Sequence, residues 1–276
     1  MQYMKKDSVI LTVHNKEWLI EKTINCIFEK TNTNCELIVV FDGCTDKSEE
    51  KSNLLLKNPP PNFSVKTIYT PDVFETKANN AGMKEATGDY IIIVQDDMLI
   101  TENDWNLRLR KPVEAFDDVF AVTARTAHNW VYNPNNLHEH IEEHLDWCWC
   151  DILNHTDHAQ SSNTDRETFA IRDSVNRGPL LLKHEIVEKL NYLDEAFSPQ
   201  DMDDHDLCYR AYKELGMKCG FYSIGCYSED SWGGTRISGQ PAKWLLKSNH
   251  KNVKIVWERH KNLILGSKHN ENRKLI

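Results

Sequence analysis

No apolar run in this 276-residue chain approaches the roughly 20 residues needed to span a bilayer, so no transmembrane segment is expected. Residues 1–7 are charged and lead straight into a short strand-like segment. They lack the long apolar core and the small-residue cleavage site of a secretory signal. The eight cysteines show no paired CxxC spacing, which reads as reduced thiols in a cytoplasmic protein rather than a disulfide framework. Cys148 and Cys150 flank Trp149, too close for an ordinary bridge and weak as a zinc signal. Positive charge is not in excess: 33 Lys and Arg stand against 42 Asp and Glu, for a net charge of -9. That balance argues against a nucleic-acid or anionic-membrane partner. Internal repeats and low-complexity tracts are also missing. What is present is an ordinary apolar content, 40%, enough to build a core.

The first half alternates strand and helix. Residues 8–13 (SVILTV) form an apolar, β-rich run that stops at His14-Asn15. Residues 17–30 carry Trp18, Ile20, Ile24, Ile27 and Phe28 near helical spacing. A second buried run, residues 36–41 (ELIVVF), stops at Asp42-Gly43. Residues 46–57 read as helix and are ended by Pro59-Pro60-Pro61. Residues 64–69 suggest a third strand, 75–86 a helix, and 90–94 (YIIIV) a fourth strand stopping at Gln95-Asp96-Asp97. Strands without alternation, separated by helices, imply a mostly parallel α/β sheet covered on both faces. Ligands in such sheets sit beyond the carboxyl ends of the strands. The three polar stops should therefore converge on one cleft.

The second half is less regular. Residues 125–175 are long, polar and rich in His, Trp and Asn, with 137–147 a possible helix. Residues 178–182 (GPLLL) resume a strand. Residues 203–215 read as a helix with Leu207, Ala211 and Leu215 on its buried face, and 218–224 as a strand. Residues 228–239 form a Gly-containing loop, and 241–263 a helical tail.

Three clusters carry chemistry. Asp96-Asp97 offers two carboxylates at the cleft edge, where a hard divalent cation wants oxygen ligands; a solvated acidic turn is the plain alternative. Asp42 precedes Gly43 and could bond a ribose or a base, while Thr45 or Asp46 caps the next helix. Asp203-Asp204-His205-Asp206 crowds a helix start, where the dipole favours acids. Such crowding can also present a carboxylate ready to take a proton.

Taken in order, several stretches resemble the family 2 glycosyltransferases. They are Thr12-Val13-His14-Asn15, Val39-Val40-Phe41-Asp42-Gly43-Cys44-Thr45-Asp46, Asn80-Ala81-Gly82, and Ala86-Thr87-Gly88-Asp89-Tyr90-Ile91 with Gln95-Asp96-Asp97. Arg177-Gly178-Pro179-Leu180, Leu193-Asp194-Glu195-Ala196-Phe197 and Asp203-Asp204-His205-Asp206-Leu207 follow. The resemblance covers residues 8 to about 225. It implies an inverting transferase of GT-A fold that moves a sugar from a nucleotide-diphosphate donor onto a saccharide or glycoconjugate hydroxyl. The implied donor-binding residues are Thr12, His14, Asn15, Asp42, Asn80, Gln95 and Asp96; apart from the resemblance, the late Gly-containing loop reads either as a mobile lid with Arg236 a candidate phosphate contact or as a simple surface turn. Asp97 and Asp96 are the implied ligands of Mn²⁺ or Mg²⁺, Asp97 the more direct. Asp204 matches the family's general base, with Asp203 before it. Asn176, Arg177, Gly178 and His205, with Trp147 and Trp149, would face the acceptor. The implied organisation is a transferase domain over 1–237, with donor half 1–124 and acceptor half 125–237, and a helical extension over 238–276. Gln95, Cys44 and Asp203 depart from common residues of the family. Tyr227-Ser228-Glu229-Asp230 stands where many relatives have a metal-binding His.

Other readings compete. His140-Ile141-Glu142-Glu143-His144 has the spacing of one zinc peptidase class, if helical. Gly233-Gly234-Thr235-Arg236 is similar to a nucleotidyltransferase signature, but far from the first strand. A non-catalytic carbohydrate-binding relative could stack sugars on Trp130, Trp147, Trp149 or Trp232.

Overall fold

The computed structural model describes residues 5–132, 140–142, 148–149, 166–228, 243–266 and 269–275. Strand β1 (Asp7–Val13) is followed by α1 (Ile20–Lys30), β2 (Cys35–Asp42), α2 (Ser48–Lys57), β3 (Phe63–Thr70), α3 (Phe74–Lys84) and β4 (Tyr90–Gln95). β1 pairs in parallel with both β2 and β4, and β2 with β3. Every residue of β2 is buried, as its unbroken apolar run requires of a strand covered on both faces. α1 buries Ile20, Ile24, Ile27 and Phe28, the stripe expected of a helix lying on a sheet. α3 approaches β1 so closely that a Cβ on Gly82 would stand 2.4 Å from Ile10 Cγ2.

The chain then forms β5 (Met98–Ile100), α4 (Trp105–Ala115), β6 (Val119–Thr123), β7 (Thr126–His128), β8 (Trp130–Tyr132), β9 (His140–Glu142) and β10 (Cys148–Trp149). After these come β11 (Thr168–Arg172), β12 (Ser174–Asn176), β13 (Leu180–Lys183), α5 (His184–Lys189), α6 (Asp203–Leu215), β14 (Lys218–Phe221), β15 (Cys226–Ser228), α7 (Lys243–Ile264) and β16 (Glu271–Lys274). The main sheet has nine strands in the order β16-β11-β14-β6-β13-β4-β1-β2-β3. It is mixed: β13 runs against β4 and β6, and β11 against β14 and β16, while the other strands point one way. Among the described residues no helix is long and apolar enough to cross a membrane. Cys26, Cys35, Cys44, Cys208, Cys219 and Cys226 are free thiols.

Three expectations need correction. Helix 137–147 does not hold over His140–Glu142, which is strand β9 paired with β8. The helical spacing that a zinc peptidase motif needs is therefore absent at its first ligand; Glu143 and His144 lie outside the described residues. The anchoring face of α6 stops at Ala211, because Leu215 is 41% exposed just before the left-handed Gly216 that ends the helix. The expected helical extension also contains an edge strand, β16, which pairs with β11 and is pinned by ion pairs of Arg273 with Asp118 and Lys218 with Glu271.

α7 braces α6. Asp206 is fully buried, and its carboxylate accepts from His260 Nε2 at 2.8 Å, Arg259 at 3.2 Å and Arg210 Nε at 2.7 Å. Burial alone would raise its pKa, but the His260 and Arg210 bonds outweigh that and hold it below the ordinary value. A depressed carboxyl stabilises the fold above its unfolded-state pKa, and this is lost as pH falls through the folded-state value. Asp206→Asn is accordingly expected to lower Tm at neutral pH and to differ less and less from wild type below about pH 4. Parallel melts of the two proteins between pH 3 and 7 check this; a pH-independent gap would contradict it.

Candidate active site

The polar stops do converge. At the end of β1 the His14 N–H donates to Asp96 Oδ2 at 3.0 Å. His14 Nδ1 lies 2.6 Å from the Asp42 carbonyl, so it donates there, and Nε2 is left to accept from Asn15 Nδ2 at 3.2 Å. Asn15 sits at φ +52, a left-handed conformation that Asn tolerates well, and its Oδ1 accepts from the Thr45 N–H at 2.8 Å. Neither Thr45 nor Asp46 is the cap of α2: that position is Lys47, which makes no side-chain capping bond, and Asp46, one residue earlier, accepts from the Ser48 N–H at 2.9 Å. Thr12, half-buried within β1, stands in register between Val40 and Gln95.

Two of the expected donor-binding side chains already have full protein partners. Asp42 is 1% exposed and accepts from Thr70 Oγ1 and the Val73 N–H, both at 2.7 Å, and from the Phe74 N–H at 2.8 Å. A ligand reaching it must exchange with the 70–74 turn. Asn80 is buried and its amide clasps the Leu193 backbone in both directions, at 2.8 and 3.1 Å. That makes it a tie between α3 and the 193–195 turn.

Asp96 and Asp97 sit where β4 ends. Asp96 Oδ1 is 3.8 Å from Lys16 Nζ, and Lys16 is completely buried. Burial pushes the Asp96 carboxyl up to about 7; Lys16 opposes this, while the negative charges of Asp97 and Glu75 add to it. Asp97 is 6% exposed. Its Oδ2 accepts from Ser228 Oγ at 3.1 Å, and its Oδ1 is buried without a hydrogen-bond partner. A buried, unpartnered carboxylate oxygen beside a second carboxylate fits a hard divalent cation. Among the described residues no three His, Cys, Asp or Glu side chains gather to hold one ion. Ser228, water and a bound diphosphate could supply further oxygen ligands to an ion here, as Mg²⁺ sites commonly combine carboxylates with water and phosphate.

The opposite wall comes from the segment after β12 and from α6. Arg177 is 5% exposed and grips Asp203 with both terminal nitrogens, the longer bond 3.0 Å. Its N–H donates to Asp204 Oδ2 at 3.1 Å, and its Nε lies 3.6 Å from that oxygen and 4.0 Å from Glu75 Oε2. Asp204 Oδ1 accepts from the His205 N–H at 2.9 Å and from His205 Nδ1 at 2.8 Å. Burial works to raise the Asp204 pKa, but Arg177 and His205 dominate and hold it well below the usual carboxylate range. Asp204 is therefore ionised at neutral pH.

A short polar chain joins the walls. Arg125 donates to Gln95 Oε1 at 3.0 Å and reaches the Arg177 carbonyl at 3.4 Å. Gly178, at φ +88, lies against Gln95, where a Cβ would stand 2.6 Å from Oε1. Only glycine meets both demands. Asn176 is the next link: its carbonyl accepts from Thr123 Oγ1 at 2.6 Å, and it pairs with Thr126, which pairs in turn with Trp149. Trp147 and Arg236 lie outside the described residues. Sequence reasoning missed Lys16, Glu75, Arg125 and Ser228. A buried Lys16 has a visible purpose only once Asp96 is beside it, and Ser228 was visible solely as the residue standing where a His was expected.

An α/β sheet with carboxylates at the carboxyl end of a central strand and a second acidic cluster linked to it through Arg125 and Arg177 has the layout of a GT-A-like fold. The sequence profile described as "Glycosyl transferase family 2" matches residues 8–178, and the chain belongs to that family. An uncharacterised glycosyltransferase of Haemophilus influenzae is 33% identical over 97 residues, spanning 35% of this chain and 38% of that protein. The structure of GalNAc-T7 with UDP, GalNAc and Mn²⁺ superposes with TM-score 0.60 at 17% identity, covering 96% of this chain and 50% of that one. A mannosyltransferase from Pyrobaculum calidifontis, in complex with GDP-Man and Mn²⁺, gives TM-score 0.57 at 16% identity, covering 96% and 77%. At such identities the two structures establish the fold.

Proposed function

We propose that this protein transfers a sugar from a nucleotide-diphosphate-sugar donor to a hydroxyl of a saccharide or glycoconjugate, with inversion at the anomeric carbon. The observation that carries the reading is the linkage of two carboxylate sets, Asp96-Asp97 and Asp203-Asp204, through Gln95, Arg125 and Arg177, with Glu75 close enough to act on both Asp96 and Asp203-Asp204. The nucleoside end of the donor falls to Thr12, His14, Asn15 and Asp42. Gln95, Asp96 and Arg236 serve its sugar-diphosphate end. Asp97 and Asp96 would hold Mn²⁺ or Mg²⁺, which when bound would neutralise charge on the diphosphate. Buried Lys16 adds a fixed positive charge behind Asp96.

Asp204 takes the proton of the acceptor hydroxyl as that oxygen bonds to the anomeric carbon. The bond from that carbon to the diphosphate oxygen breaks, and the nucleoside diphosphate leaves. Arg177 fixes Asp203 and Asp204 and balances their charge. In this reading residues 1–124 serve the donor, 125–237 the acceptor, and 238–276 brace α6. A cytoplasmic site of action is part of this reading; among the described residues six cysteines are free thiols and no helix is long and apolar enough to cross a membrane. A screen of nucleotide-sugars for thermal stabilisation with Mn²⁺ tests the donor class, because a ligand of the native state raises Tm. One donor should stand out; a flat panel would contradict the reading.

The acceptor is expected to meet the 125–175 segment, whose two ends, β7 and β12, pair with each other beside the acids. Substituting Trp147 or Trp149 should raise the acceptor KM and leave donor affinity unchanged, as befits a specificity loop on a fixed scaffold. Steady-state kinetics on both substrates check this. A matching loss of donor binding would assign those side chains to the core instead.

A further inference from the structure

Behind Asp204 lies a buried pair of imidazoles that the transfer reaction as drawn does not use. His205 bonds Asp204 Oδ1 twice, through its backbone N–H at 2.9 Å and its Nδ1 at 2.8 Å. A carboxylate only accepts, so Nδ1 carries a proton. On the far side of the ring, His205 Nε2 is 2.7 Å from His128 Nε2, with the two rings 22° from parallel. A single proton lies between those nitrogens. Either His128 donates it to a neutral His205, or His205 carries both protons and donates in both directions. In both states the Nδ1–H remains on Asp204.

His128 comes from β7, 77 residues away in sequence, and is held in place where it pairs with Ser174 of β12. Both imidazoles are 2% exposed and Asp204 is 6% exposed, so water does not compete for these bonds. With Oδ1 doubly bound by His205, the freer oxygen is Oδ2. It accepts the Arg177 N–H at 3.1 Å and keeps a lone pair for the acceptor hydroxyl.

We propose that His205, locked by His128, is a positioning residue that fixes the tautomer facing Asp204 and aims Oδ2 at the acceptor. The inference rests on Asp204 being the base. Among the described residues, other titratable or charged groups facing this site include Arg177, Asp203 of α6, Glu75 of α3 and Asp201 in the preceding turn. Removing the His205 donor withdraws a bond from the ionised form of Asp204, so the base should ionise only at higher pH.

His205→Leu is expected to lower kcat on the order of 10²-fold, the scale of a misplaced reacting group, with donor Kd unchanged. The acid limb of its kcat/KM profile should move to higher pH. His205→Gln, which keeps a donor toward Asp204, should recover most of the loss. His128→Leu should show a smaller loss and a shift of the same sign, and it serves as the reporter if His205→Leu does not fold. A folded His128→Leu with wild-type kcat and pH profile would overturn the proposal. Asp204→Asn separates the two ideas. If it is inactive while the His128 profile is unmoved, the base reading stands and the positioning role falls. If Asp204→Asn stays active, the base reading itself falls.

Discussion

Replacing Asp204 by Asn is expected to reduce turnover on the order of 10²–10⁴-fold, the usual contribution of a positioned general base, while donor and metal binding persist. The substitution keeps the shape of the side chain and removes its ability to take a proton. Asp204 is suited to the role in one respect and constrained in another. Arg177 and His205 favour its ionised, basic form, yet the same partners lower its proton affinity. The neighbouring acid is the poorer choice, because both oxygens of Asp203 are gripped by the Arg177 guanidinium. Single-turnover kinetics with saturating donor check the prediction. Near-wild-type turnover in Asp204→Asn would remove it as the base and make Asp203 the first alternative.

Asp97→Ala should weaken metal-dependent nucleotide binding by at least on the order of 10²-fold, since even outer-shell partners of bound ions contribute 10–100-fold. Its Oδ1 is the buried carboxylate oxygen of the site that lacks a partner. Asp96→Ala should cost less affinity, because Asp96 is already held by the His14 N–H and faces Lys16. Calorimetry of nucleoside diphosphate binding with Mn²⁺ or Mg²⁺ and with EDTA gives the comparison. Equal wild-type affinity in EDTA would sink the metal role of both residues.

The donor half of the fold was legible because β1, β2 and β4 are apolar runs that stop abruptly at His14, Asp42 and Gln95. Parallel strands buried on both faces leave that signature and little else. α4 was not legible because its inner face carries Asn106, Arg108 and Arg110, with Pro112 inside the helix. The Asp7 carboxylate accepts from Asn106 and Arg110, and the Ser223 carbonyl from Arg108, partners that only the folded chain supplies. The mixed sheet was half visible: residues 178–182 announced a strand but not that it runs against its neighbours. Motif resemblance singled out Asp96, Asp97, Asp203 and Asp204 as candidates but not how each is engaged. Asn80 matched a motif and turned out to clasp Leu193, whereas Lys16 and Arg125 matched none and border the acids. The His128–His205 contact joins two segments that no local pattern connects.

The central claim is transfer of a sugar from a nucleotide-diphosphate donor with inversion, and NMR of one reaction tests it most directly. The donor that stabilises the protein with Mn²⁺ is incubated with an acceptor panel, and the anomeric signals and nucleoside diphosphate are followed together. The account predicts one nucleoside diphosphate released for each glycoside formed, a product of opposite anomeric configuration to the donor, and no product from Asp204→Asn. A product that retains the donor's configuration, or a tightly bound donor never consumed with any acceptor, would contradict it.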